Sequence, residues 1–209
     1  MKKYILQSIL TLSVITATFV NCTNDEDYEI PPFTHPFFFE DFSNSLSGVG
    51  VEVSNPEIVN INTTNTPLWE VRSFNSNKYM QFSSFNSLAN TTDNTWFILP
   101  EADLNVNKKL ILSFDLAQGF PVGVFPLKIY YSLNFDGNPD NIDNAIWTTI
   151  PYNFPVNSAN FVFVKIKDLI YTNDNAETVK IHFAFNYKGA KEGGATTTIQ
   201  IDNIKLQID

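Results

Sequence analysis

Apolar and polar side chains alternate along most of this chain, and the alternation is almost everywhere of period two. From 109 to 117, Leu110, Leu112, Phe114 and Leu116 share one parity, while Ile111, Ser113 and Asp115 hold the other. From 179 to 187, Ile181, Phe183, Phe185 and Tyr187 face one way and Lys180, His182, Ala184 and Asn186 the other. Segments 127–133 and 160–167 behave alike. Side chains of an extended strand point alternately to opposite faces, so the pattern predicts half-buried antiparallel strands. His182 is thereby expected on an outward, solvent-facing surface. Clusters of Asn, Asp, Gly and Pro at 54–56, 134–144, 171–175 and 188–194 separate the runs as turns. Roughly ten short strands predict an all-β chain, an antiparallel β-sandwich of jelly-roll type.

One strand breaks phase. Ile199 and Ile201 share a parity, but the next apolar residues are Ile204, Leu206 and Ile208. A slip of one residue at Asp202-Asn203 is what a β-bulge supplies, and bulges often re-aim side chains beside functional sites.

The amino end follows another rule. Met1-Lys2-Lys3 is positive, residues 4–20 are largely apolar and uncharged, and Asn21 precedes Cys22, the only cysteine. These are the charged and apolar regions of an export signal. With a cysteine at the cut site the segment resembles a bacterial lipoprotein signal, which implies removal of residues 1–21 and acylation of Cys22. Residues 22–36 read as a lipidated, acidic and Pro-rich tether, with Asp25, Glu26, Asp27 and Glu29 followed by Pro31, Pro32 and Pro36. An acidic run beside a lipidated cysteine resembles the signal that sends some lipoproteins to the outer face of the outer membrane. The expected location is therefore the outer membrane, lipid-anchored through Cys22 and surface-exposed. Residues 37–209 form the expected binding domain.

Charge narrows the partners. The formal net charge of −9 becomes −11 once Lys2 and Lys3 leave with a segment that carries no acid, and Arg72 is the only arginine. Nucleic-acid binding needs clustered Lys and Arg to neutralise phosphates, and no such cluster exists here. The acidity suits solubility in an ionic surface layer.

Phe39-Glu40-Asp41-Phe42, Trp69, Thr95-Trp96-Phe97-Ile98-Leu99-Pro100, Leu112-Ser113-Phe114-Asp115, Ile129-Tyr130-Tyr131-Ser132, Ile146-Trp147-Thr148 and Ile201-Asp202-Asn203-Ile204 follow in order. This series resembles the choice-of-anchor J domains, relatives of the cleaved-adhesin and MAM modules, over nearly all of 37–208. The resemblance implies a jelly-roll module on a secreted or surface protein, with no catalytic residues. It also implies pairing of the first and last strands and a structural calcium there, held by Glu40 or Asp41 with Asp202 and with Asp115 as a further donor. Calcium takes six to eight oxygens, which such carboxylates could supply. The alternative is an edge-strand charge pair with Asp202 capping the bulge.

A second acidic stretch, 136–143, begins like a calcium loop. Asn141 stands where that loop needs glycine and Trp147 where it needs glutamate, so a plain hairpin loop is expected. Aromatic candidates for stacking on a sugar are Tyr130 or Tyr131, only one of which can face inward, Tyr152 beside Pro151, and Phe120 in a Gly-containing loop. Trp69, Trp96 and Trp147 lie in apolar strand patterns and are assigned to packing.

Catalysis finds little support. Jelly-roll glycosidases use paired carboxylates, which in one family come as Glu-x-Asp-x-x-Glu. Glu101-Ala102-Asp103 starts that way, but the third acid is replaced by Val106. No Gly-x-Ser-x-Gly elbow occurs. His35 and His182 are far apart in sequence and read as surface residues. The expected function is a non-catalytic surface binding module for a glycan or a surface protein, in adhesion or carbohydrate binding. The alternatives are an assembly subunit of an outer-membrane complex and, more remotely, a glycoside hydrolase.

Overall fold

The computed structural model describes residues 36–64, 67–154 and 159–209. The signal segment 1–21, Cys22, the tether to residue 35 and His35 lie outside these residues. Twelve strands are present among them: β1 Phe38–Glu40, β2 Val59–Asn62, β3 Glu70–Phe74, β4 Asn77–Phe82, β5 Thr92–Ile98, β6 Ala102–Leu104, β7 Lys109–Gly119, β8 Leu127–Ser132, β9 Thr148–Ile150, β10 Val164–Thr172, β11 Val179–Ala190 and β12 Thr198–Ile208. The helical content described is two 3₁₀ turns, Ser84–Asn86 and Pro139–Asn144.

The strands form two antiparallel sheets packed as a jelly-roll sandwich. The first runs β10-β7-β12-β4-β3 with β1 also on β12; the second runs β2-β5-β11-β8-β9 with β6 also on β11. The first and last strands do pair, with Phe38 opposite Leu206 and Glu40 opposite Ile204. The long central strands supply the core from the expected parity. Leu110, Leu112, Phe114 and Leu116 of β7 meet Ile181, Phe183, Phe185 and Tyr187 of β11, all fully buried. Burying each such side chain stabilises the fold by roughly 1.5–3 kcal/mol, which is why one parity of every central strand is apolar.

The phase slip in β12 is a register shift between Asp202 and Lys205 against β7. Asn203 sits at φ 50°, a left-handed conformation asparagine tolerates better than most residues. The extra residue restores parity, so that Ile204 and Leu206 are buried along with Ile199 and Ile201. β3 and β4 are joined by Asn75-Ser76, both at positive φ, the conformation a tight two-residue hairpin requires.

Outward parity does not mean solvent in the second sheet. Trp96 and Ile98 of β5 and Ala184 of β11 point away from the main core, yet they are buried with Phe135 and Ile142 in a second apolar cluster. The 133–147 segment between β8 and β9 folds over this face. Within it Asp136 accepts hydrogen bonds from the Asn138 amide at 2.9 Å and from Asn141 Nδ2 at 2.6 Å, which fixes the turn before Ile142.

Candidate functional site

The candidate site is the outer face of the first sheet, and it begins with β4. Met80 and Phe82 are buried inward, so Tyr79 and Gln81 face out. Register sets Gln81 beside Glu70 of β3 and Gln200 of β12, and Tyr79 beside Arg72. Gln200 Nε2 donates to Gln81 Oε1 at 2.9 Å, and the Tyr79 phenol bonds to Gln200. Burial pushes the Tyr79 hydroxyl up, partly offset by the positive charge of Arg72, so it remains a neutral donor and acceptor. The floor is thus a row of carboxamides and a phenol with no lysine on it.

Aromatic rings wall this row. Phe163, just before β10, lies 5.9 Å from Tyr79 at a steep interplanar angle of 60°. Phe161 packs over Gly119, where a Cβ would come within 2.2 Å of its ring; the missing side chain lets the aromatic segment lie on β7. Phe74 closes the β3 end. Together they enclose an open groove of about 500 Å³. A second hollow of about 440 Å³, lined by Arg72, Glu52, Trp69 and Asn86 among others, shares Gln81 with it. Both volumes lie in the range of small-molecule sites, and apolar walls with a few polar groups are the usual composition of such sites.

The bulge forms the acidic end. Asn77 Nδ2 donates to Asp202 Oδ2 at 2.9 Å, and the Asn203 amide donates to Asp202 Oδ1 at 2.7 Å. Asn203 Nδ2 donates to Asp115 Oδ2 at 2.8 Å, while Lys165 Nζ lies 3.3 Å from Asp115 Oδ1. Burial holds the Asp202 carboxyl above its usual range, and the negative charges of Asp115 and Asp41 push the same way. Glu40 is turned elsewhere: it accepts from the Phe42 amide at 2.7 Å and from Asn55 Nδ2 at 3.2 Å. Asp41 accepts from the Ser43 amide at 3.0 Å, and hydrogen bonds from Ser43 hold it below the usual carboxylate range. Among the described residues, no three His, Cys, Asp or Glu side chains converge as a metal site. In this arrangement the four carboxylates accept from amide and ammonium donors.

The aromatic candidates are dispersed. Tyr130 packs at a tilt on Trp96 at 5.2 Å in the second apolar cluster, and burial raises its hydroxyl. Tyr131 packs at the core margin, 4.9 Å from Tyr171. Tyr152 is used in packing: its hydroxyl donates to the Leu127 carbonyl at 3.0 Å and its ring meets Phe114. Phe120 is 64% exposed and leans on Phe161, which makes it a rim residue of the groove. Trp69 and Trp96 are buried as expected, and Trp147 packs against Trp96.

His182 corrects an expectation. It is buried at 6% exposure, beneath Phe135, because the 133–147 segment covers the strand face that alternation assigned to solvent. Its Nδ1 donates to the Leu99 carbonyl at 2.9 Å, and its Nε2 lies 3.7 Å from Glu101, which pairs with Lys180.

The groove residues Tyr79, Gln81, Gln200 and Phe163 were not foreseen. Their signal was faint but present: the outward positions of β4 and of β12 before its bulge carry amides and an aromatic where a solvated face carries Lys and Glu.

No family model and no curated protein matches this sequence. Solved structures do resemble it in fold. The K3 cleaved adhesin domain of Lys-gingipain from Porphyromonas gingivalis W83 is 15% identical with a TM-score of 0.47, over 83% of this chain and 99% of that one. The K1 domain of the same protein is 17% identical with a TM-score of 0.43, over 81% and 96%. The CBM22-1 xylan-binding domain of Xyn10C from Paenibacillus barcinonensis is 9% identical with a TM-score of 0.43, over 84% and 95%. These are likenesses of strand arrangement, and no residue role is carried over from them.

Proposed function

We propose that this protein is a non-catalytic binding module that takes a neutral glycan chain in the outer groove of its first sheet. The observation that carries the reading is the groove itself. Carboxamides of Gln81, Gln200 and Asn77 can serve vicinal hydroxyls as both donors and acceptors. The rings of Tyr79, Phe163 and Phe161 offer flat apolar surfaces to the C–H face of a pyranose. Acidic groups at one end and a net charge of −9 disfavour uronic acids and other anionic sugars. Among the similar folds, one is described as a xylan-binding domain and others as adhesin domains, in keeping with a module for adhesion or carbohydrate binding.

The lipoprotein signal at Cys22 and the acidic tether support display on the outer membrane surface, and the order of motifs supports membership of the choice-of-anchor J domains. Labelling with a fatty-acid analogue tests the first: label that persists in Cys22→Ser removes the anchor. The calcium reading of Glu40, Asp41, Asp115 and Asp202 rests on the crowding of negative charge at the bulge. A melting scan with chelator and with excess calcium tests it, and D202N must abolish any shift that arises there.

The test of function is retention on neutral polysaccharide gels and a glycan array. Wild-type binding that is lost in Q81A and F163A supports the groove; binding untouched by both removes it. An assembly role is the second reading, favoured by exposed Phe120, Val122 and Val124 in one loop. It predicts co-purification with a membrane partner and no glycan retention.

A further inference from the structure

Gln81 lies between two hollows on the outer face of the first sheet, the aromatic-walled groove of about 500 Å³ and a second of about 440 Å³ on the β3 side. Strand register explains why they meet there. Gln81 stands opposite Glu70 of β3 on one side and Gln200 of β12 on the other, so this outward row is polar from end to end. The surface continues past β3. The Val71 amide donates to the Val51 carbonyl at 2.6 Å and the Gly48 amide to the Val71 carbonyl at 2.9 Å, which lays segment 48–51 along that strand as a further edge. From β7, where Phe161 lies over Gly119, to this segment the path crosses β12, β4 and β3, about 19 Å at the usual strand spacing.

The two hollows differ in chemistry. The first has Phe163 and Phe161 as walls and Tyr79 in its floor. The second has aromatic residues only at its base: Trp69 and Phe82 are buried and pack on each other at 5.6 Å in the core, so neither ring is offered for stacking. Its polar groups are Arg72, Glu70, Glu52 and Gln81. Arg72 Nη1 donates to Glu70 Oε1 at 3.2 Å, and Glu70 Oε2 accepts from the Gly50 amide at 2.7 Å. That bond uses one of the five N–H donors of the guanidinium, which is one-third exposed and stands at the row of Tyr79. Its charge is balanced by Glu70 and Glu52, which suits the hollow to hydroxyls and not to a sugar carboxylate.

From this geometry we infer that the two hollows are subsites of one cleft, which takes a linear neutral oligosaccharide longer than a disaccharide, laid across the strands. The inference rests on the glycan reading of the groove given above and extends it to chain length. The aromatic subsite holds one sugar by its C–H face. The Arg72 subsite holds units further along the chain by their hydroxyls, with the guanidinium donating and Glu52 accepting, and Gln81 serves both. A chain that reaches both subsites gains the second set of contacts without losing its translational freedom twice, so affinity rises with length.

The experiment measures, by titration calorimetry, the affinity of the full chain for disaccharides and hexasaccharides of the cello, xylo, manno and galacto series, in a detergent without a sugar headgroup. In a series that binds, the hexasaccharide should bind at least about tenfold more tightly than the disaccharide. R72A should remove most of that gain and change disaccharide affinity by less than about twofold, whereas F163A should weaken both lengths about tenfold. The Arg72–Glu70 pair is partly exposed, so R72A should keep the fold. Should its melting show otherwise, E52Q in the same hollow is the substitute, and it should weaken the hexasaccharide several-fold while sparing the disaccharide. Equal affinity for both lengths, or a length gain that survives R72A and E52Q, overturns the extended cleft and leaves the aromatic groove standing. Binding in none of the series overturns the glycan reading and this inference with it.

Discussion

The outward faces of the two sheets are built from the same alternation and end in opposite states. On the second sheet, Trp96, Ile98 and Ala184 are roofed by Phe135 and Ile142 of the 133–147 segment, and His182 is buried with them. On the first sheet, Tyr79, Gln81 and Gln200 are left under a partial wall of Phe161 and Phe163, with about 500 Å³ between. The roofed face is closed over, with His182 Nδ1 held on the Leu99 carbonyl. The open face holds amides that a ligand can still use. A sandwich needs only its inner faces to be stable, so what happens outside each sheet is free to become either more core or a site.

Breaking the roof should have the largest effect. W96A removes a 7%-exposed indole from between Tyr130 and Trp147 and should cost about 3–5 kcal/mol in denaturant unfolding, leaving glycan retention at unchanged concentration of folded protein. The reverse should hold in the groove. Q81A or F163A should weaken retention on a neutral polysaccharide about tenfold, which is roughly 1.4 kcal/mol, with a stability change smaller than that of W96A. Equal losses of stability from both faces would erase the distinction.

The acidic end sharpens the comparison through pH. Asp202 is raised in the folded state, so the native protein holds its proton more tightly than the unfolded chain does. The associated stability is fully present below the ordinary carboxylate pKa of about 3.9 and is lost as pH rises through the higher folded value. Unfolding titrations should show stability falling across that window in the wild type and a flatter profile in D202N. The Asn77 donor is kept in that variant, because an amide oxygen can still accept from it. No fall with pH would mean the carboxyl is better solvated than its burial implies. Smallest of all is F120S: the ring is 64% exposed and touches Phe161 only at the rim, so stability should shift by less than about 1 kcal/mol and retention by a few-fold at most.

The bulge is the clearest case of a tertiary feature written in sequence. Ile201 and Ile204 have opposite parity, and both must be buried, so an inserted residue at Asp202-Asn203 was forced. Pairing of Glu40 with the last strand came from the resemblance to jelly-roll domains and not from the residue pattern itself. Tyr152 and His182 were not, because their burial depends on segments distant in sequence that fold over them.

Taken alone, the order of residues determined the strand parity, the β-sandwich class, the phase slip in β12 and the acidic balance, since each follows from side-chain direction, hydrophobic burial or a count of charges. Tertiary structure alone decided which outward face closed over and which became a groove. That choice depends on contacts between segments far apart in the chain, Phe163 with Tyr79 on one side and Ile142 with Trp96 on the other, and local periodicity carries no record of them.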